Sequence, residues 1–176
     1  EVPGVYVIDA ENLSTGIGQL VLEASIMARE GAAPEEIVEK INTMKKKLDV
    51  SFVIDTLEYL YKGGRCSSLA ALGANLLSLK PCIEVVDGKM RVGKKYRGSL
   101  EKCLEKYIRE RLADVDSLDL HRIFVTHSNM DQATVDRIQA VVESCAPFEE
   151  ILQTKAGCTI SCHCGPNCLG ILFFRK

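Results

Sequence analysis

The chain has no excess of basic charge: 22 Lys and Arg stand against 24 Asp and Glu over 176 residues, a formal net charge of −2. It therefore lacks the electrostatic footprint that draws a protein to a phosphate backbone, which argues against nucleic acid as a partner. It has no apolar stretch of the ~18 residues that a membrane-spanning helix needs. It has no GxxxxGK(S/T) run and no GxGxxG after a predicted strand, so nothing supports nucleotide binding by these residues. With three histidines and no local Ser-His-Asp or Cys-His arrangement, no nucleophile-and-base pair can be assembled from neighbouring residues. This argues against a small-molecule enzyme using His127 and His163. Internal repeats and low-complexity linkers are absent as well.

What is present is cysteine, eight in all. Cys66, Cys82, Cys103 and Cys145 lie far apart, and Cys103 and Cys145 fall on apolar helical faces. In a chain long enough to bury a normal core, these read as free thiols in a reducing cytosol rather than a secreted disulfide framework. The expected location is cytoplasmic. The other four, Cys158, Cys162, Cys164 and Cys168, surround His163 at spacings x3, x1 and x3. Structural zinc sites usually pair cysteines on opposing knuckles two to four residues apart. If the segment were extended, Cys162 and Cys164 would face one way and His163 the other. Unpaired thiols are the expectation, and a zinc- or redox-active module built on these five residues is the alternative.

Strands and helices alternate. Val5–Ile8 is an apolar run fit for a buried strand, followed by a loop through Asn12, Ser14, Gly16 and Gly18. Leu20–Arg29 is apolar nearly all round and reads as a buried helix. Pro34-Glu35-Glu36 opens a helix with proline at the first turn and carboxylates on the positive end of the dipole. Lys45-Lys46-Lys47 reads as its solvated end. Phe52–Ile54 is a strand; Thr56 or Asp55 caps a short helix that stops at Gly63-Gly64. Ser67 or Ser68 to Leu79 is an apolar helix broken by Lys80-Pro81. Cys82–Val86, Asp87-Gly88 and Lys89–Val92 form a hairpin, since Asp-Gly is the strongest short turn signal. Ser99 caps a helix bearing Leu104, Tyr107, Ile108 and Leu112. Ile123–Val125 is a strand, Ser128 caps the helix bearing Val135, Ile138 and Val142, and Glu150–Thr154 and Leu169–Phe174 are strands. The pattern predicts an α/β chain, an α+β sandwich with a mixed sheet, and a boundary near Lys47–Val50. A strand entered at once, with no methionine before Glu1, reads as a piece of something longer.

Gly63-Gly64-Arg65 reads either as a helix C-cap with a surface arginine or as a loop whose arginine meets an anion or a partner protein. His127 reads as a loop histidine bonded to backbone, His121 as plain surface, and Asp9 and Asp55 as loop caps.

Taken together these residues resemble the DegV family of bacterial lipid-binding proteins. The resemblance runs through Val5–Asp9 with Ser14–Gly18, Asp55–Arg65, the Lys80-Pro81 hairpin, Thr126-His127-Ser128 and the terminal His163–Gly170. It covers roughly the C-terminal two thirds of a family member. It implies that residues 1–48 close a Rossmann-like first domain and that 49–176 form the DegV C-terminal domain. It also implies a long-chain fatty acid in an apolar tunnel, no cofactor, and a separate ATP-dependent fatty acid kinase as partner. This makes the chain an accessory subunit for phospholipid synthesis rather than an enzyme. By the same resemblance His163, Gly165 and Arg65 are ligand-binding residues of the carboxylate site, and Arg65, at its mouth, also contacts the kinase. The hydroxyl residues of that site belong to the missing N-terminal segment. Leu69–Leu79 and Leu169–Phe174 would line the tunnel, with Ala70, Ala71, Gly73 and Ala74 admitting the acyl chain. The family ending His-Thr-Gly-Pro-Gly here carries Cys164 and Asn167. Asn167 fits a glycine position if positive φ is required there.

Overall fold

The computed structural model describes residues 2–65 and 79–176. The apolar segment of residues 67–78, with Cys66 before it and the four small residues within it, lies outside the described residues. Leu79, its expected last residue, is already in a strand.

One six-stranded mixed sheet organises the chain, in the order β3-β2-β1-β6-β4-β5. β1 is Leu48–Val53, β2 Leu79–Val86, β3 Lys89–Arg97, β4 Leu118–Ser128, β5 Glu150–Lys155 and β6 Cys168–Arg175. Only β4 and β5 run parallel; the other neighbours are antiparallel. The Asp87-Gly88 turn forms as the sequence predicts, with φ of 51° and 70°, the paired positive angles that suit a two-residue hairpin.

Helices cover both faces. α1 (Thr15–Arg29) and α2 (Pro34–Met44) lie on one. There Leu20 and Ile41 pack with Val50, Phe124, Leu172 and Phe174. α4 (Leu100–Arg111) and α5 (Gln132–Cys145) lie on the other. There Leu104, Tyr107, Ile108, Val135, Ile138 and Val142 meet Val53, Ile123, Val125, Ile171 and Phe173. Alternation along β4 and β6 sends successive side chains to opposite cores.

Tyr107 couples these layers. It is fully buried; its hydroxyl donates to the Ser51 carbonyl at 2.8 Å and accepts from the Ile171 amide at 3.1 Å. Ser51 and Ile171 are opposite each other in the β1–β6 ladder, so the phenol satisfies both central strands. Tyr107→Phe would leave these buried groups unpaired and is expected to cost about 1–3 kcal/mol in urea unfolding.

Five expectations are corrected. Val5–Ile8 is not a strand: no described residue pairs with it, and Val7 is 92% exposed. An apolar run becomes a strand only where it lies alongside a sheet edge, and among the described residues neither edge strand, β3 nor β5, pairs with this segment. The segment is instead tied to the second helix, through a Tyr6–Glu35 hydrogen bond and a Lys45 bond to the Asp9 carbonyl at 2.9 Å. Lys45 is thus drawn inward, whereas Lys46 and Lys47 stay exposed. Gly16 and Gly18 belong to α1 rather than a loop, and that helix is buried on one side only: Ile17, Val21 and Leu22 are exposed. Ser128 does not cap α5. The cap is Asp131, whose carboxylate accepts from the Thr134 amide at 2.9 Å, while Ser128 ends β4 inside the core.

Candidate functional site

The C-terminal end of β1, the N-terminal end of β6 and the C-terminal end of β4 meet at one end of the sheet: Val53 pairs with Leu169, and Ser128 with Cys168. A short α3 (Glu58–Lys62) follows β1, and α6 (Cys158–Cys164) precedes β6. Their strands are neighbours, so the two helices are brought together. This topology joins the Asp55–Arg65 motif to the His163–Gly170 motif, which lie about a hundred residues apart in sequence.

The contact is made through two glycines. A Cβ on Gly63 would lie 2.4 Å from Cδ2 of His163 and 3.2 Å from its Nε2. A Cβ on Gly165 would lie 2.3 Å from the Tyr59 ring. Gly165 also has φ 73° and ψ −174°, a region that is essentially glycine-only. The histidine edge lies against the last turn of α3 because nothing projects from Gly63.

α3 begins with the Glu58 amide donating to the Thr56 hydroxyl at 3.2 Å. It closes with Gly64 at φ 71° and the Arg65 amide donating to the Leu60 carbonyl at 2.9 Å, a glycine-dependent helix end. Arg65 is exposed and its guanidinium donates to the Gly63 carbonyl at 2.7 Å. Gly63-Gly64-Arg65 is therefore a helix cap that also sets an arginine beside the histidine motif.

His163 Nδ1 lies 2.7 Å from the Thr159 carbonyl. A carbonyl only accepts, so Nδ1 carries the proton and Nε2 is the free corner of the ring. Protonated, Nε2 donates to a carboxylate; neutral, it accepts from a carboxylic acid. The turn after the helix is anchored by Asn167, at φ 58°, whose amide donates to Asp55 at 3.4 Å. Asp55 is also paired with Lys80. The positive φ that would suit asparagine at this position is present, and Asp55 is more than a loop cap. This Asp55–Lys80–Asn167 latch, and the role of Tyr59, escaped the sequence reading; no motif spacing signals a contact between residues this far apart.

Beneath the site a narrow slot runs between α6 and the sheet. It is lined by Leu13, Phe52, Ile160, Leu172, Cys164 and Cys168, with the Ser128 hydroxyl. The space is ≈ 30 Å³, room for about two waters. Ser128 Oγ is buried and finds no partner among the described residues.

α6 is a helix, not an extended segment, so the thiols sort differently from the extended case. Cys158 and Cys162 are exposed, Cys164 and Cys168 buried. Among the described residues no three His, Cys, Asp or Glu side chains converge as metal ligands. Burial pushes the Cys82 thiol up to about 12 and raises that of Cys103.

His127 is no loop histidine. It sits in β4, 3% exposed, with Nδ1 unpartnered. Alternation with Ile123 and Val125 turns its ring toward the α4–α5 side of the sheet, while the residue also borders the slot beside Thr126 and Ser128. Burial, and then the Lys155 charge, lower its pKa below the usual 6.5. The unfolded chain thus binds a proton that the folded chain resists. Stability is complete above about pH 6.5 and falls as pH drops below it, by at most ~1.4 kcal/mol per pH unit for one group. Urea midpoints measured between about pH 5 and 7.5 should show this slope, and His127→Gln should flatten it.

An α+β protein with helices on both faces of an open mixed sheet, and a glycine-packed histidine–arginine site at one sheet end, is the class the geometry defines. A family model described as an uncharacterised protein of the DegV family matches residues 1–176, and the chain belongs to that family. It is 31% identical over 174 residues to the DegV domain-containing protein TTE1491 of Caldanaerobacter subterraneus, covering 98% of this chain and 61% of that one. It is 29% identical to CA_C0701 of Clostridium acetobutylicum, covering 98% and 60%. The chain thus spans about three fifths of the length of these relatives. Among solved structures it is similar to a DegV family protein from Thermus thermophilus described by its fatty acid binding, at 29% identity and TM-score 0.84, over 99% of this chain and 62% of that one. It also shares the fold (TM-score 0.83, 20% identity) with the Streptococcus pneumoniae fatty acid kinase B3 protein loaded with linoleic acid, over 97% of this chain and 60% of that one.

Proposed function

We propose that this chain holds a long-chain fatty acid and presents its carboxylate to an ATP-dependent kinase, without itself transferring phosphate. The observation that carries the reading is the contact of His163 with Gly63, two residues before the exposed Arg65. In this reading the His163 nitrogen and the Arg65 cation stand at the mouth of the lipid site, and the slot lined by Ile160 and Cys164 of the same helix supports an apolar path for the tail. The fatty acids bound by the similar structures support the ligand class.

The physics agrees. Each buried CH₂ contributes about 0.8 kcal/mol before association costs, so the tail supplies the affinity. The carboxylate is the costly end, because an unpaired charge loses its hydration. In this reading His163 Nε2 meets it, Gly165 keeps the approach open, and an oxygen stays free for phosphorylation. The slot must widen as the tail enters between α6 and the sheet. We further propose that residues 1–48 close a Rossmann-like first domain and 49–176 form the lipid-binding domain. The apolar surface left open on Ile17, Val21 and Leu22 supports additional chain packing there. Among the described residues no helix is long and apolar enough to cross a membrane, and a cytoplasmic location is part of the proposal.

Titrating delipidated protein with a fluorescent polyunsaturated fatty acid tests the ligand. Saturable binding displaced by a natural fatty acid is expected; no saturable binding would refute it. Arg65→Glu is expected to weaken kinase-dependent acyl phosphate formation about tenfold more than it weakens that binding, the scale of one charge-assisted contact.

A further inference from the structure

Cys164 and Cys168 stand apart from the other described thiols. Cys164 is the last residue of α6 and Cys168 the first of β6. The Gly165–Asn167 turn between them folds back through positive φ at Gly165 and Asn167. Both are buried, 5% and 6% exposed, and both line the slot that contains the unpartnered Ser128 hydroxyl, 2% exposed. Only three residues separate them along the chain, and both belong to one buried cluster with Phe52, Ile54 and Leu60.

We propose that Cys164 and Cys168 are a peroxide-responsive dithiol whose oxidation to a disulfide resets the head-group site. The slot has room for about two waters, the size of hydrogen peroxide, and the Ser128 hydroxyl offers it an unused hydrogen bond. The Cys164 thiolate attacks one peroxide oxygen. The O–O bond breaks, the departing hydroxide takes up the thiol's proton as water, and Cys164 becomes a sulfenic acid. The Cys168 sulfur then attacks the Cys164 sulfur. The S–O bond breaks, a second water leaves, and the disulfide forms. Two thiols and one hydrogen peroxide give one disulfide and two waters. Cys164, at the end of the helix that carries His163, is the attacking thiol in this scheme and Cys168, at the start of β6, the resolving one.

The consequence for lipid rests on the fatty-acid reading above. A disulfide draws its sulfurs to about 2.05 Å, far closer than two unbonded thiols approach. The strain falls on the last turn of α6, which carries His163 and its contact with Gly63. Oxidation is expected to weaken fatty-acid binding about tenfold.

Intact mass spectrometry of the chain after mild peroxide is expected to show a loss of about 2 Da, restored by a reductant. All four C-terminal thiols lie in the one tryptic peptide between Lys155 and Arg175, so variants settle the linkage. Cys158→Ser/Cys162→Ser should keep the loss and Cys164→Ser should abolish it. Cys168→Ser should leave Cys164 trappable as a sulfenic acid by a carbon nucleophile. Wild-type protein provides a check that does not depend on variant folding: after oxidation, Cys158 and Cys162 should still alkylate while Cys164 and Cys168 do not. No mass loss, or a loss abolished by Cys158→Ser/Cys162→Ser, would overturn the dithiol. A mass loss with unchanged lipid affinity would overturn the coupling. Lipid binding absent in both redox states would count against the fatty-acid reading alone.

Discussion

His163→Ala is expected to weaken fatty-acid binding about 10- to 100-fold, the scale of a hydrogen bond to a charged group at 1.5–3 kcal/mol. The loss should fall on the acid and not on the tail. A fatty alcohol of the same length, which presents no carboxylate, should bind wild type and variant alike. Gly63→Ala separates the position of the ring from its chemistry. That residue has φ −78° and ψ 0°, so alanine adds no backbone strain, but its Cβ would press on His163 Cδ2. The ring must swing, and lipid affinity should fall while the urea midpoint stays close to wild type. Equilibrium titration of both variants with acid and alcohol checks this.

Gly165→Ala is expected to be the most destabilising single change at the site, by about 2–4 kcal/mol. Two costs combine. The backbone angles are those that only glycine adopts at ease, and the added Cβ would meet the Tyr59 ring at 2.3 Å. For a chain of this size the loss corresponds to a fall in Tm of about 5–15 °C. Gly64→Ala is the control. Its φ is also positive, at 71°, but among the described residues nothing lies within 4 Å of the new Cβ, so a cost of about 1 kcal/mol is expected. Thermal unfolding of the two variants side by side gives the comparison. Comparable losses at both positions would show that the Tyr59 contact contributes nothing.

The hairpin at Asp87-Gly88 and the strands of residues 123–125, 150–154 and 169–174 were legible because each is a local signal: a turn pair, or an apolar run bounded by breakers. So was the end of α3 at Gly63-Gly64. Val5–Ile8 carries the same apolar signal yet forms no strand, since a strand also needs a sheet edge running beside it, and where the segment lies relative to the sheet is not a local signal. The helix of residues 158–164 was missed for the opposite reason. Cys-Thr-Ile-Ser-Cys-His-Cys has weak helix propensity over seven residues; it is held by packing, with Ile160 and Cys164 set against Phe52, Ile54 and Leu60. The site residues Arg65, His163 and Gly165 were singled out by resemblance, but their meeting through Gly63 and Tyr59 follows only from β1 and β6 being neighbours. The placement of His127 and Ser128 on opposite faces of β4 required knowing that the strand runs on to Ser128.

Native mass spectrometry of the purified chain, repeated after denaturing extraction, tests the central claim most directly. A bound mass matching one long-chain fatty acid, lost on extraction and reduced in His163→Ala, is the predicted result. A chain that remains bare after incubation with saturating fatty acid, while folded by circular dichroism, would contradict it.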